Sequence, residues 1–541
     1  MSIDLFRQRL PAISGSKASP FQDARSARDW LKLLPLINVP TAHAEMLEAI
    51  EELNHSNVSG LDSLKIIEQF RESAHVLQEG LLSRYTQKAI PLAEIELQTW
   101  QNAQQLWQAF EHAYARCWHA ALSGQTDVAE YMPLLAERTL YYSLKVNTSY
   151  YLIHSTIPSE QWAQQFNYYQ LAQTLGVAQK KAKDSLIRIG GSATPEHVFI
   201  HSLLLNAANP FQYNLRYFLW INDCLEVFAS RCSLDHIAET LPNRPAYTID
   251  FAAPDAPERL DKPVKDSQTS ISTLFLAQAL SKRIKLLRSG EMPEKIGLGT
   301  TLSPQAAEAL LTDLYRQWCD HPLERNLTRR ETQNPVAVGF GLTNLHRWMA
   351  EGRFAPPPQD ESQLSSQELM QIRLFGQTSA MNAPIVLPQV LTNPWQTIDE
   401  TATGLRLQRT HDGERISLQQ LLIIKDQQQF LIGSIRWLCD HGNDLQIGVK
   451  LLAGQPQAAT IRAQDAARFG QTDHTEVLLI PAIVALQVPN SLILPAGWFR
   501  QGRLLELWDG HRQTRIRLVS ILSRGLDFER IHFVASGGMN Q

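Results

Sequence analysis

From about residue 22 to about residue 320, apolar side chains return at three- and four-residue steps with charges between them. That is the period of helices with one buried face. "SARDWLKLLPLI", "AEMLEAIEEL" and "LDSLKIIEQFRESAHVLQEGLLSRYTQ" all read this way. In the next segment Trp100, Leu106, Phe110 and Tyr114 fall on roughly one stripe, which predicts a core-facing aromatic row. "RTLYYSLKVNTSYYLIHSTIPSEQWAQQFNYYQLAQTLGV" predicts a helix pair with a corner at "TIPSEQW", where Ser159 or a nearby polar group caps the second helix. The break "RIGGSATPEH" opens a second helical group, and residues 240–270, rich in Pro and Asp, read as a linker or loop excursion. Helices resume at "SISTLFLAQALSKRIKLLRSGE" and at "SPQAAEALLTDLYRQWCDHP", the latter capped by Ser303. Their spacing has no fixed period that would define a repeat.

After residue 330 the period becomes two. "NPVAVGFGL", "TGLRLQR", "LQQLLIIKD", "FLIGSIRWL", "DLQIGVKLLAG" and "AATIRAQ" are short strands, with "HDGE" and "HGND" as hairpin turns. Residues 351–394 insert between the first two strands, and from about 475 more β pattern follows, either an extension of one barrel or a further small β-domain. The expected fold class is α+β and multidomain: an N-terminal all-α helical array, then a C-terminal antiparallel β-barrel with additional strands. The expected divisions are 1–190 (helical), 191–320 (a second helical domain or a continuation), 321–465 (barrel, with insertion 351–394) and 466–541 (additional β subdomain).

Composition narrows the function classes. With 541 residues, 44% hydrophobic and 19% charged, the chain reads as a globular protein with a sizeable core. A net charge of −4 gives no global positive field for a nucleic-acid polymer or an acidic membrane, so any anion site is local. The five cysteines lie in no C-x-x-C or zinc spacing, which implies reduced thiols and no metal. "MSIDLFRQRLPAISG" lacks the apolar core of a signal peptide, and no run is long enough to span a bilayer, so a cytoplasmic protein without membrane insertion is expected. The glycines of "GLGTT" and "GFGLTN" have neither phosphate-loop nor dinucleotide spacing, and neither an HExxH nor a nucleophile elbow occurs. Catalytic residues are therefore not expected, nor is the protein expected to be an enzyme.

One constellation carries chemistry. In "LERNLTRRE" Arg325 and Arg329 stand four apart, with Arg330 adjoining; in an extended segment four residues span roughly 13 Å. Two planar guanidiniums at that separation suit phosphate oxygens and the O6/N7 edge of guanine. In "IDETATGLRLQR" Asp399 can accept from guanine N1–H and N2–H, Thr401 offers a hydroxyl, and Gly404 lets the backbone turn tightly or lie close to a ligand. Arg406 and Arg409 follow on the strand, Arg406 as a lesser candidate for a phosphate-facing surface. The bland readings are that the arginines cover the carbonyls ending the preceding helix and that Asp399 caps a turn.

The pair of motifs, Arg325-Asn-Leu-Thr-Arg329 before the first strand and Asp399-Glu-Thr401-Ala-Thr-Gly404 at the second, resembles the PilZ domain, the cyclic di-GMP receptor module. "FLIGSIRWLCDHGNDLQIGVKLLAG" looks like that family's later strands. The resemblance covers residues 320–465 and implies a six-stranded barrel wrapped by an arginine loop, with cyclic di-GMP as ligand and no cofactor. It departs from the family in Thr401, where Ser is usual, and in the insertion between the motifs. The implied function is a receptor that couples ligand binding to contact with a protein partner through the helical region. The alternative is a degenerate PilZ-like scaffold that binds no nucleotide. Arg436 and Trp437 are expected to be structural, with Trp437 adding apolar area to the barrel.

Overall fold

The computed structural model describes residues 3–12, 19–187, 191–235, 247–251, 258–259, 268–320, 330–350, 370, 373–374, 395–426, 429–463 and 474–536. The chain divides into two compact units, Met1–Asn326 and Leu327–Gln541. The expected α+β class, helical first and β-barrel second, is borne out.

The first unit is built from α1 (Ile3–Arg9), α2 (Ala24–Leu31), α3 (Val39–Asn54), α4 (Gly60–Tyr85), α5 (Glu94–Leu122), α6 (Thr126–Ala129), α7 (Met132–Tyr151), α8 (Ser159–Thr174), α9 (Pro195–Ala207), α10 (Leu215–Phe228), α11 (Leu274–Arg288) and α12 (Pro304–Cys319). Short strands β1 (Ala182–Lys183) and β2 (Ser192–Ala193) pair with each other, and β3 (Ser233–Asp235), β4 (Tyr247–Asp250), β5 (Glu258–Arg259) and β6 (Gln268–Ser272) form a small antiparallel sheet. One apolar cluster runs from Phe6 to Cys319, so nothing in the core divides the helices at residue 190. The stripe Trp100, Leu106, Phe110 and Tyr114 is buried in α5, and Ser303 caps α12 by accepting from the Ala306 N–H at 3.3 Å. Ser159 is not a cap: it is the first helical residue of α8, and the N-cap position belongs to Pro158, which has no side chain to accept with.

This core is also charged. Arg71 of α4 and Arg138 of α7, both 2% exposed, meet on the Asp184 carboxylate beside β1 at 2.8 and 2.9 Å. Arg138 donates further to Glu68 Oε1 (2.9 Å), to Glu137 and to the Lys183 carbonyl (2.9 Å), and the Tyr114 hydroxyl donates to Glu68 at 2.6 Å. Burial works to raise the Asp184 pKa, but hydrogen bonding and charge from Arg71, with the charge of Arg138, outweigh it and hold the carboxyl below its ordinary value. Glu137, wholly buried, is pushed up to about 7 by burial, against the pull of Arg138.

In the second unit β7 (Arg330–Glu331), β8 (Pro335–Phe340), β9 (Trp395–Thr401), β10 (Gly404–Thr410), β11 (Leu421–Asp426), β12 (Gln429–Asp440) and β13 (Asp444–Leu451) share one sheet. Its pairings run β8-β9-β10-β13-β12-β11 and return to β8, so six strands close a barrel, and β7 adds to the free part of β9. A second closed barrel follows, from β14 (Gln457–Ala463), β15 (Thr475–Ile480), β16 (Ser491–Pro495), β17 (Leu504–Trp508), β18 (Gln513–Arg524) and β19 (Phe528–Ala535), in the order β14-β15-β16-β19-β18-β17. Labelled a to f in chain order, both rings read a-b-c-f-e-d. The two barrels have one topology. The strand "AATIRAQ", expected in the first barrel, is β14 of the second, paired with β15 and β17, so the division expected at 465/466 falls after that barrel has begun. "HGND" does turn β12 into β13, but "HDGE" is not a hairpin, because β10 pairs with β9 and β13 rather than β11. Most of the insertion 351–394 lies outside the described residues.

Between the barrels lies α13 (Leu342–Ala350). Its Leu345 and Trp348 pack with Leu421, Ile423 and Ile432 from the outside of the first barrel, and with Leu478, Ile480 and Ile493 from the outside of the second. The join is also polar: the Leu421 N–H donates to Asp527 Oδ1 at 2.9 Å and the Leu526 N–H to the Gln419 carbonyl at 2.9 Å.

Replacing Arg138 by Met will leave Asp184 and Glu137 buried with one cation fewer. The expected loss is about 3–5 kcal/mol, as for breaking a buried ion pair from one side. Denaturant unfolding of the full chain measures it, and a loss under about 1 kcal/mol would mean the cluster is not holding β1 to α4 and α7.

Candidate functional site

Strand register decides which side chains face out of the first barrel. Leu407 of β10 is opposite Ile447 of β13, both fully buried, so Leu405, Leu407, Ile447 and Val449 line the interior while Arg406, Gln408, Gln446 and Gly448 face outward. Two β-bulges then alter what strict alternation would give. In β9, Thr397 is opposite Leu407 and Asp399 opposite Arg406, leaving Ile398 as one residue too many. In β12, Ile435 is opposite Val449 and Trp437 opposite Gly448, leaving Arg436 over. Each bulge reverses the next side chain, turning Asp399 and Trp437 from the interior to the outer face. The extra residue in β9 is fixed from outside, since the Thr332 N–H donates to the Ile398 carbonyl at 3.1 Å.

The result is a single row, Asp399–Arg406–Gly448–Trp437, across four adjacent strands. Gly448 leaves the indole room: a Cβ there would come 1.9 Å from Trp437 Nε1. The Arg406 guanidinium carbon lies 6.0 Å from the Trp437 ring centre, within cation–π range. Arg406 also donates from Nη2 to Gln446 Oε1 at 2.6 Å, and Gln446 passes the chain on to Gln408 at 3.0 Å. Asp399, 8% exposed, has its Oδ2 4.0 Å from Arg406 Nη1, a loose ion pair. Lys450 shares the next row with Gly404 and Ser434, adding an exposed cation to the face. A carboxylate acceptor, a held guanidinium, an amide and an indole face thus converge on one outer surface, which suits a flat heteroaromatic ring bearing donors and an attached anion.

The other expected residues fare differently. Thr401 and Gly404 close the two-residue hairpin between β9 and β10: the Thr401 hydroxyl donates to the Gly404 carbonyl at 3.2 Å and accepts from the Thr403 N–H at 3.4 Å. Gly404 is there for close approach, since a Cβ would meet the Val449 carbonyl oxygen at 2.8 Å. Both shape the lip. Arg330 pairs with Glu400 and not with Asp399: its guanidinium, 81% exposed, is 3.9 Å from the Glu400 carboxylate, while Glu331 takes the place opposite Asp399. Arg325 and Arg329 lie outside the described residues. Arg409, by contrast with Arg406, faces inward: it is buried over the Trp395 ring and donates to the Asp412 and Glu414 carbonyls, and burial lowers its pKa.

Two residues of the face carry more than their sequence positions suggest: Arg406, expected only as a lesser candidate because strand arginines are usually solvated, and Trp437, expected to add apolar area to the barrel or its seam. The available signal was Gly448, which falls where the partner strand offers an indole no other seat. Among the described residues, no group of His, Cys, Asp and Glu is assembled to hold a metal ion, and no helix is long and apolar enough to cross a membrane.

Comparison with known proteins matches both ends of the chain. Residues 25–240 match the family model "Cyclic-di-GMP receptor FimW, N-terminal domain", and residues 460–536 match "FimW C-terminal beta-barrel domain". The chain is similar to FimW receptors. The cyclic-di-GMP receptor FimW of Pseudomonas aeruginosa is 21% identical over 537 residues, covering 88% of this chain and 85% of the relative. The two matched segments correspond to the helical unit and to the second barrel, with the row on the first barrel lying between them.

Replacing Gly448 by Ala will drive a methyl into the Trp437 indole and destabilise the unit by about 1–3 kcal/mol. In a Trp437→Ala background the same change will cost less than half as much, because the group it strikes is gone. A denaturation double-mutant cycle reads this directly; equal costs in both backgrounds would place the methyl's conflict elsewhere.

Proposed function

We propose that this chain is a cyclic di-GMP receptor that holds its ligand on the outer face of the first barrel, as a PilZ-type site. The observation carrying the proposal is the outward row Asp399–Arg406–Trp437, set beside the start of β7. Arg329 precedes Arg330 in sequence, and Arg330 pairs with Glu400, the neighbour of Asp399, which supports assigning the Arg325–Arg329 motif to the same ligand. The similarity to a protein named as a cyclic-di-GMP receptor supports the same ligand.

Cyclic di-GMP presents two guanines and two phosphates in one compact ring. In this reading Arg325 and Arg329 take phosphate oxygens and guanine O6/N7 edges. Asp399 accepts from a guanine N1–H and N2–H, Arg406 and Lys450 add charge toward the phosphates, and Trp437 offers a face on which a guanine stacks. Thr401 and Gly404 act through the backbone, keeping the β9–β10 turn low enough for a ligand to pass over it. Arg330 contributes charge near the site rather than a contact in the row. The role is binding and not catalysis. Binding is coupled to contact with a protein partner, with the helical region as the presented surface. The five cysteines, all free and buried, fit a reducing cytoplasm.

Isothermal titration of cyclic di-GMP into the full chain tests this. Wild type will bind saturably, unaffected by excess GTP. Arg329→Ala and Asp399→Ala will each weaken binding at least about tenfold, and Trp437→Ala by about 1–3 kcal/mol, the worth of one stacked base. Unchanged affinity in all three variants would remove the ligand from this face.

A further inference from the structure

The helical unit has a half-open groove of 630 Å³ between α5 and α8, flanked by α1. That volume lies within the range of pockets that enclose small organic ligands. Both long helices pack on α7 but leave a space between themselves, and the buried side chains of Phe6 and Leu10 cover part of it. Gln108, His112, Glu160 and Gln164 line it as exposed side chains at its mouth, while Glu111 on α5 and Tyr168 on α8 lie buried within it.

Glu111 is the unusual member. It is 2% exposed, and the groups that act on its carboxyl, Ser143, Gln161 and Tyr168, include no cation. Its Oε1 accepts from Gln164 Nε2 at 3.1 Å, and the same amide donates to the Tyr168 hydroxyl at 2.6 Å. Burial raises its pKa to about 8, against weaker help from Ser143, Gln161 and Tyr168, so near neutral pH it is mostly protonated. The contrast within the same unit is Asp184, equally buried but met by two arginines. A buried acid without a counter-charge is stable only with its proton on or with a cation beside it.

We propose that this groove is a second binding site, taking a small organic cation whose ammonium, amidinium or guanidinium group pairs with the Glu111 carboxylate. The amide oxygens of Gln108, Gln161 and Asn167 are acceptors for the remaining N–H groups, and Phe6, Leu10 and Leu171 cover an alkyl portion. The other charged and titratable groups around Glu111 do not take the cation's place. From α1, Arg9 donates to Asn167 Oδ1 on α8; from α5, His112 is lowered to about 4 by burial and is neutral. From α8 come Glu160 and Tyr168, and from α7 Tyr150; the tyrosines are both raised by burial and uncharged. Binding a cation turns a neutral carboxylic acid into a paired carboxylate, so one proton leaves Glu111 for solvent.

The probes are n-butylguanidinium and, as a neutral counterpart, pentanamide, titrated calorimetrically into the full chain. Butylguanidinium will bind with a dissociation constant of about 1 mM or weaker, as its size dictates, and about tenfold more tightly at pH 7 than at pH 6, because below the Glu111 pKa the proton must first be removed. The heat will depend on the buffer's ionisation enthalpy, marking the released proton. Glu111→Gln will weaken the cation at least tenfold and abolish that proton release. Ala163→Phe, which fills the groove from the wall of α8, will remove binding while the unfolding midpoint holds. Pentanamide binding as tightly as the cation, an unchanged constant in Glu111→Gln, or no saturable binding would each overturn the assignment.

Discussion

The outer face of the first barrel depends on two strands that are each one residue too long for their partners. A β-strand has no freedom over where successive side chains point; only an inserted residue changes the count. Without Ile398 as a spare in β9, Asp399 would turn toward the layer of Leu407 and Ile447 and sit as an uncompensated charge among aliphatic side chains. Without Arg436 as a spare in β12, Trp437 would compete with Ile435 for space that the barrel does not have. Gly448 completes the device, since an indole delivered to the outer face still needs a strand beneath it that it can lie against.

The helical unit handles buried charge in two ways. Around Asp184 every acid has a base, and the network joins α4, α7 and the turn that follows α8 into one body. At Glu111 the acid is sheltered by amides and a tyrosine, and its charge is suppressed by burial. The Asp184 carboxylate keeps its charge across the neutral range, whereas Glu111 is sensitive to whatever enters beside it.

Much of this was legible in the sequence. The switch from period 3.6 to period 2 near residue 330 gave the class and order of the units, and the aromatic stripe of α5 and the Ser303 cap were read correctly because both are local. Asp399 stood out because an acid beside small hydroxyl residues is odd at a strand end. What stayed hidden was non-local. A bulge is defined by the partner strand, so the sequence places Trp437 only as apolar area of the barrel or its seam, and Arg406 looks like any solvated strand arginine until its neighbours across the sheet are known. Hydrogen bonding ties Thr401 to the β9–β10 turn, and Gly404 serves the tight turn and the close approach of β13, one of the two roles its lack of a side chain suggests. The second barrel was seen as strands without closure, and β14 was given to the wrong ring because connectivity alone does not say where one ring ends.

That the rings share one connection order means each position in one has a counterpart in the other. On the second barrel, strands b and c turn Leu478, Ile480 and Ile493 outward, and α13 with the flank of its neighbour covers them permanently. On the first barrel the same two strands turn out Asp399 and Arg406. One architecture has thus been spent twice, once as a glued seam and once as an open shelf. A molecule resting on that shelf occupies the place where the sister ring receives its helix.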